Sequence, residues 1–159
     1  MHSKKRNLKP QAVRQLTKSL FVIILLMPVL SLAGEYRSIS VPKAVLYDTP
    51  SLQGKKQFIL SQNYPVEILV NLGDWLKVRD QLGGLNWVEN KNTATKPTVL
   101  ITSAPADIKQ SADASSPLIF TAQKDVVLDV LEPAKSGWVK IKHRGGLIGY
   151  VQTSAIWGL

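Results

Sequence analysis

Cysteine is absent from all 159 residues of the sequence. Disulfide bonds therefore cannot stabilise the fold, and a cysteine nucleophile of the kind found in many peptidases is excluded. A lipid anchor attached to an N-terminal cysteine is excluded for the same reason.

Histidine is scarce, and His143 is the one histidine beyond the first few residues. A single imidazole cannot form a His-x-x-x-His zinc pair, and no Gly-x-Ser-x-Gly motif is present to support a serine nucleophile. The acidic residues are scattered and form no calcium-loop pattern. The sequence therefore predicts a protein that is not an enzyme and that needs neither a metal ion nor a cofactor.

Acidic residues are missing from the N-terminal 34 residues, which hold six of the 20 lysines and arginines. An apolar run of 13 residues, 20–32, follows this basic stretch and ends in small residues at Ala33 and Gly34. This order is typical of a secretory signal peptide, and the run is shorter than the roughly 20 residues of a membrane-spanning helix. We expect residues 1–33 to form a signal helix that is cleaved after Ala33; the alternative is an uncleaved anchor, through which alone the protein would contact a membrane.

The remaining chain has 14 basic and 11 acidic residues, so its net charge is only +3. Such a small excess does not favour nucleic acid as a partner. The basic cluster Lys140, Lys142, His143 and Arg144 fits either contact with an anionic polymer or, more simply, the solvated face of a strand.

An internal repeat organises the rest of the sequence. A shift of 63 residues places Trp75–Glu89 on Trp138–Gln152 without a gap, with four identical pairs in 15 positions. Alternating apolar residues and Gly-Gly turns in both copies predict strands and hairpins, with no sustained helical period. We therefore predict an all-β protein with two domains, residues 36–102 and 103–159, and we assign Val99–Ile101 to the end of the first. Because domains of this size are marginal alone, we expect them to pack together, with Trp157 supplying part of the contact.

The repeated pattern resembles the bacterial SH3-like domain. The motif is Trp-x-Lys-Val/Ile, then Gly, then aromatic-Val, and it runs from Trp75 to Val88 in the first copy and from Trp138 to Val151 in the second. The second copy keeps Gly149 before the aromatic residue, where the first has Asn86. The resemblance implies that each domain is a small, strongly bent barrel of five or six strands, and that such modules bind peptides or cell-wall components.

Strand alternation places Trp75 and Trp138 on the face opposite the aliphatic core positions, where each could line a ligand groove. Trp87 and Tyr150 follow the glycine turns, and Tyr47 is expected nearby. These five aromatic residues are the candidate ligand-binding residues; the alternative for each is packing within the core.

These features together predict an exported, periplasmic binding module. Its expected partner is a cell-wall component, a peptide or an envelope protein. The alternative is a structural or adaptor protein of an envelope complex, without a small-ligand site.

Overall fold

A computed structural model describes residues 34–103 and 105–159 of the chain. The predicted signal peptide, residues 1–33, lies outside the described residues. Within the described ranges, no helix is long and apolar enough to cross a membrane.

The first module is a seven-stranded antiparallel sheet. Its strands are β1 (Glu35–Ile39), β2 (Lys43–Tyr47), β3 (Lys56–Ser61), β4 (Pro65–Asn71), β5 (Trp75–Arg79), β6 (Leu85–Glu89) and β7 (Thr93–Ala94). Their order across the sheet is β3-β2-β6-β5-β4-β1-β7. A 3₁₀ turn, Asn90–Asn92, connects β6 to β7.

The second module repeats this arrangement. Its strands are β8 (Thr98–Ile101), β9 (Ala106–Lys109), β10 (Leu118–Ala122), β11 (Val127–Lys135), β12 (Trp138–Lys142), β13 (Ile148–Gln152) and β14 (Ile156–Trp157). The order β10-β9-β13-β12-β11-β8-β14 matches that of the first sheet strand for strand. The predicted all-β architecture of two tandem SH3-like modules is confirmed.

Each module has its own apolar core. In β5, Leu76 and Val78 are fully buried, whereas Trp75, Lys77 and Arg79 point to the other face, as the alternation predicts. The first core combines residues of β2, which lies near one end of the sheet, with residues of β1, which lies near the other: Ile39, Ala44, Leu46, Val66, Leu76, Val78 and Val88. Because strands so far apart in the sheet share one core, the sheet must be rolled up around it.

The assignment of Val99–Ile101 to the first domain is wrong. The strand that contains these residues, β8, pairs with β11 and β14 in the second sheet. It occupies the place that β1 holds in the first sheet, between β4 and β7. The boundary between the two sheets therefore lies between Ala94 and Thr98. The short strands β7 and β14, one in each sheet, bring the number of strands in each sheet to seven rather than the five or six expected.

The two modules are in direct contact. The indole of Trp157 meets the ring of Tyr36 edge to face, with 5.3 Å between ring centroids. The hydroxyl of Thr98 donates a hydrogen bond of 2.8 Å to the carbonyl oxygen of Asn63. The expected contribution of Trp157 to the contact between modules is confirmed.

Candidate functional site

Three of the five predicted aromatic residues lie on the outer face of the first sheet. Trp75 begins β5, and its ring meets that of Tyr47 edge to face, with centroids 5.5 Å apart. Tyr47 is opposite Trp87 in the neighbouring strand β6. The ammonium group of Lys77 lies 5.9 Å from the centroid of the Trp87 ring, within the range of a cation–π contact. Tyr47 is buried, while both tryptophans are half-buried and keep part of their surface open.

Trp75 forms one wall of an open cavity of about 760 Å³. The cavity lies between the β2–β3 loop, the turn before β5 and the 3₁₀ turn after β6. Its lining residues are Pro50, Ser51, Leu52, Gln53, Gly73, Asp74, Trp75, Glu89, Asn90 and Lys91. An indole beside a proline and a leucine provides an apolar surface, and the polar groups lie around it.

Side-chain hydrogen bonds hold the turns around this cavity in place. The amide of Asn90 donates to the carbonyl oxygen of Gly73 at 2.6 Å, and its oxygen accepts from Arg37 at 2.7 Å. In the β2–β3 loop, the Asp48 carboxylate accepts the backbone N–H of Lys55 at 2.9 Å. The cavity is therefore largely formed before any ligand arrives, which reduces the entropy lost on binding.

Two residues with carboxylate side chains line the cavity together with Trp75. Asp74 precedes it in the chain and is exposed, and Glu89 is its cross-strand partner. Lys91 pairs with Glu89 at 2.7 Å, and the hydrogen bond to this carboxylate, followed by its negative charge, raises the pKa of Lys91. The Lys91 side chain is 74% exposed, so solvent screens this pair.

The other two predicted residues, Trp138 and Tyr150, lie on the outer face of the second module. They line one cavity of about 410 Å³ together with Glu132, Lys135 and Lys140. Trp138 also borders a second cavity, of about 360 Å³, on its other side.

Charged groups surround both of these cavities in the second module. Lys140 pairs with Glu132 at 2.6 Å, and this hydrogen bond raises the pKa of Lys140. Lys109, rather than an aromatic residue, is opposite Tyr150. At this position the outer face of the second module thus has a cation where that of the first has an aromatic ring.

The residues of the predicted basic cluster lie in two different surroundings. Lys140 is the residue paired with Glu132, while Lys142, His143 and Arg144 line a cavity of about 370 Å³ together with Asp125 and Asp129. Cations and carboxylates are therefore mixed here. Among the described residues, no group of three or more His, Asp or Glu side chains could hold a metal ion.

Sequence reasoning missed most of the lining of the Trp75 cavity. Asp74 precedes Trp75 in the chain and Glu89 is opposite it in β6, while Pro50, Leu52 and Lys91 come from connections that contain no repeated motif. The one sequence signal that pointed towards Pro50 and Leu52 was the turn-rich composition between the first two strands of the unit.

The fold and cavities can be compared with known proteins. A model of the bacterial SH3 domain matches residues 40–94 and 103–158. The chain belongs to the bacterial SH3 domain family. Bacterial SH3 domains are generally binding modules, and both copies here present aromatic residues beside cavities. No curated protein sequence matched the chain.

Solved structures similar to this bacterial SH3 protein include three from the NlpC and NlpC/P60 group. NlpC2 from Trichomonas vaginalis is 19% identical over 79% of this chain and 48% of its own, with a TM-score of 0.36. NlpC1 from the same organism is 17% identical over 84% and 49%, with a TM-score of 0.37. An NlpC/P60 family protein from Bacillus cereus is 14% identical over 77% and 55%, with a TM-score of 0.36. The chain spans about half the length of these structures.

Proposed function

We propose that this protein is an exported, non-catalytic binding protein of the bacterial cell envelope, which recognises a cell-wall peptide through the outer aromatic faces of its modules. The observation that carries the proposal is the position of Trp75. It lies on the face opposite the core, in edge-to-face contact with Tyr47 and open to a cavity that Pro50 and Leu52 help to line. Aromatic walls with few rotatable bonds bind extended peptides at low entropic cost.

The chemistry of the cavity favours recognition over catalysis. Its one hydroxyl side chain, that of Ser51, accepts the backbone N–H of Gln53 at 3.1 Å, and no imidazole is among the lining residues. A serine without a neighbouring base is a poor nucleophile. Ligand binding and release is the activity that these groups support.

Export is part of the proposal and has its own measurement. The basic stretch and apolar run before Gly34 are the support for it. We expect the mass of the protein isolated from its native host to match a chain that begins at Gly34. The mass of the full chain would instead indicate an uncleaved anchor.

Binding is tested by co-sedimentation of residues 34–159, which belong to one compact unit, with purified peptidoglycan sacculi. We expect the wild-type protein to be retained and the double variant Trp75→Ala/Trp138→Ala to be released. A loss of about tenfold or more in affinity is expected, because interface tryptophans commonly contribute 2 kcal/mol or more.

Two controls make this experiment interpretable. Leu82→Ala removes an 84% exposed apolar side chain on the glycine turn, away from the cavity, and should bind like wild type. Circular dichroism must show that the double variant is folded. A folded double variant that still binds would refute the site assignment.

The adaptor role is the second candidate, and strand β3 favours it. This strand is at the edge of the first sheet, with Phe58 and Ile59 58% and 62% exposed. Edge strands offer unpaired backbone groups to a partner chain. If wild-type protein is not retained on sacculi, a protein partner at this edge becomes the leading explanation.

A further inference from the structure

The duplication allows the two modules to be compared position by position. The N–H of Asn90 donates to the carbonyl of Asp74 at 2.8 Å, and the N–H of Thr153 donates to that of Gly137 at 2.9 Å. Trp75 pairs with Glu89 as Trp138 pairs with Gln152. The backbone around the two tryptophans is therefore equivalent, and each module is a natural control for the other.

Both carboxylates beside Trp75 are missing from the second module. Gly137 stands at the position of Asp74, and Gln152 stands at that of Glu89. The one carboxylate in the smaller cavity at Trp138 is Asp107, and it lies 3.4 Å from the ammonium group of Lys109. The first module thus brings an indole and two carboxylates together in one cavity, whereas Trp138 has Asp107 in one cavity and Glu132, paired with Lys140, in another.

An indole and carboxylates around one cavity form a receptor for a cation. The ring face attracts an ammonium group electrostatically, and the carboxylates accept its charge-assisted hydrogen bonds. Lys91 shows the carboxylate part of this chemistry, because its ammonium group lies 2.7 Å from Glu89 at the rim of the cavity. Since the Lys91 side chain is 74% exposed and solvent screens its pairing with the half-buried Glu89, a ligand ammonium can replace Lys91 at this carboxylate.

We propose that the first module binds the primary ammonium group of its peptide ligand between Asp74, Glu89 and Trp75, and that the second module lacks this specificity. The inference rests on the proposed function, since it names the chemical group recognised at the same cavity. The apolar wall of Pro50 and Leu52 contacts the aliphatic chain that carries the ammonium group. A peptide of the cell wall and a lysine of a protein partner share this chemistry.

The test compares two synthetic peptides that differ in one group. One is a short peptide of alanine, proline and a single lysine with an acetylated N-terminus, and the other is the same peptide with acetyl-lysine at that position. NMR of the tryptophan indole N–H groups of residues 34–159 reports which ring is contacted. We expect the Trp75 signal to shift, with affinity for the free amine about tenfold higher, as one charge-assisted hydrogen bond implies. The Trp138 signal should not distinguish the two peptides.

Charge-matched variants separate specificity from general electrostatics. Asp74→Asn/Glu89→Gln should bind both peptides equally, whereas Asp107→Asn/Glu132→Gln, which removes two carboxylates from the second module, should keep the preference. The inference is overturned if wild-type protein binds the acetylated peptide as tightly as the free amine. It is equally overturned if the Trp75 signal does not respond to either peptide.

Retention on sacculi whose amines have been acetylated, compared with untreated sacculi, shows whether the ammonium group comes from the cell wall or from a protein partner. Weaker retention on acetylated than on untreated sacculi would assign the ammonium group to the wall. Preference for the lysine peptide without retention on any sacculi would leave the ammonium site in place and refute the wall target. Equal retention on both would refute the ammonium site and leave wall binding in place.

Discussion

One strand position has different residues in the two modules because the neighbouring core side chains are packed differently. Gly149 in β13 and Asn86 in β6 occupy the same register, opposite Ile141 and Val78 respectively. A Cβ atom at Gly149 would lie 2.5 Å from the Cγ2 of Ile108, a distance that side chains do not tolerate. The second core has therefore closed over the space that Asn86 uses in the first.

Gly149→Ala is predicted to destabilise the protein by about 1–3 kcal/mol, because overpacking forces neighbouring side chains and backbone to move. Urea denaturation followed by circular dichroism measures the change. Leu147→Ala, in the same hairpin and exposed, should alter stability by no more than about 0.5 kcal/mol. Equal stability of Gly149→Ala and wild type would show that the second core is not packed as described.

At the scale of the element, strand β8 shows that a local sequence pattern does not determine which sheet a strand joins. Val99–Ile101 was assigned to the first domain because it follows that domain's last hairpin along the chain. Its hydrogen-bonding partner, β11, begins 26 residues after Ile101, and an apolar run of three residues contains no information about so distant a partner. By contrast, β5 and β12 were predicted with the correct faces, because strict alternation determines which side chains enter the core.

The candidate site also divides into residues whose position the sequence predicted and residues whose position it did not. Trp75 and Trp138 were placed on the outer face from alternation alone, and the structure places them there. Asp74 and Glu89 were not anticipated, because their proximity to Trp75 matters only once the β2–β3 loop closes the cavity. Loop residues become neighbours of a strand through folding, and no periodicity in the sequence encodes that contact.

At the scale of the whole molecule, the C-terminus joins the modules. Trp157 ends β14 and packs on Tyr36 of β1. Gly158 follows with φ of +119°, and a Cβ atom there would lie 2.9 Å from Pro65 in β4. Burial of the Tyr36 hydroxyl, followed by the nearby Glu67 carboxylate, raises the pKa of Tyr36, while Arg79 opposes this shift.

Trp157→Ala is predicted to weaken the coupling between the modules by about 2 kcal/mol, from the lost aromatic pair and the lost apolar burial. Calorimetry should then show two separate unfolding transitions in place of one. The pKa of Tyr36, followed by its phenolate absorbance, should fall towards its ordinary value as the hydroxyl becomes exposed.

Leu159→Ala provides the comparison for this variant, because Leu159 is exposed and two residues away. It should behave as wild type in both measurements. Calorimetry of Trp157→Ala that shows one transition at the wild-type temperature, with an unchanged Tyr36 titration, would mean that other contacts couple the modules.

The sequence by itself determined the class of the protein, its duplication and the orientation of its central strands, because these depend on periodicity and on repeated motifs within a few residues of each other. Only the tertiary structure decided which sheet takes β8, how Tyr47 comes to meet Trp75 edge to face, and how the β2–β3 loop closes the cavity that Asp74 and Glu89 line. Those features depend on contacts between residues far apart in the chain. Such contacts form when the sheet rolls around its core, and the local sequence does not specify them.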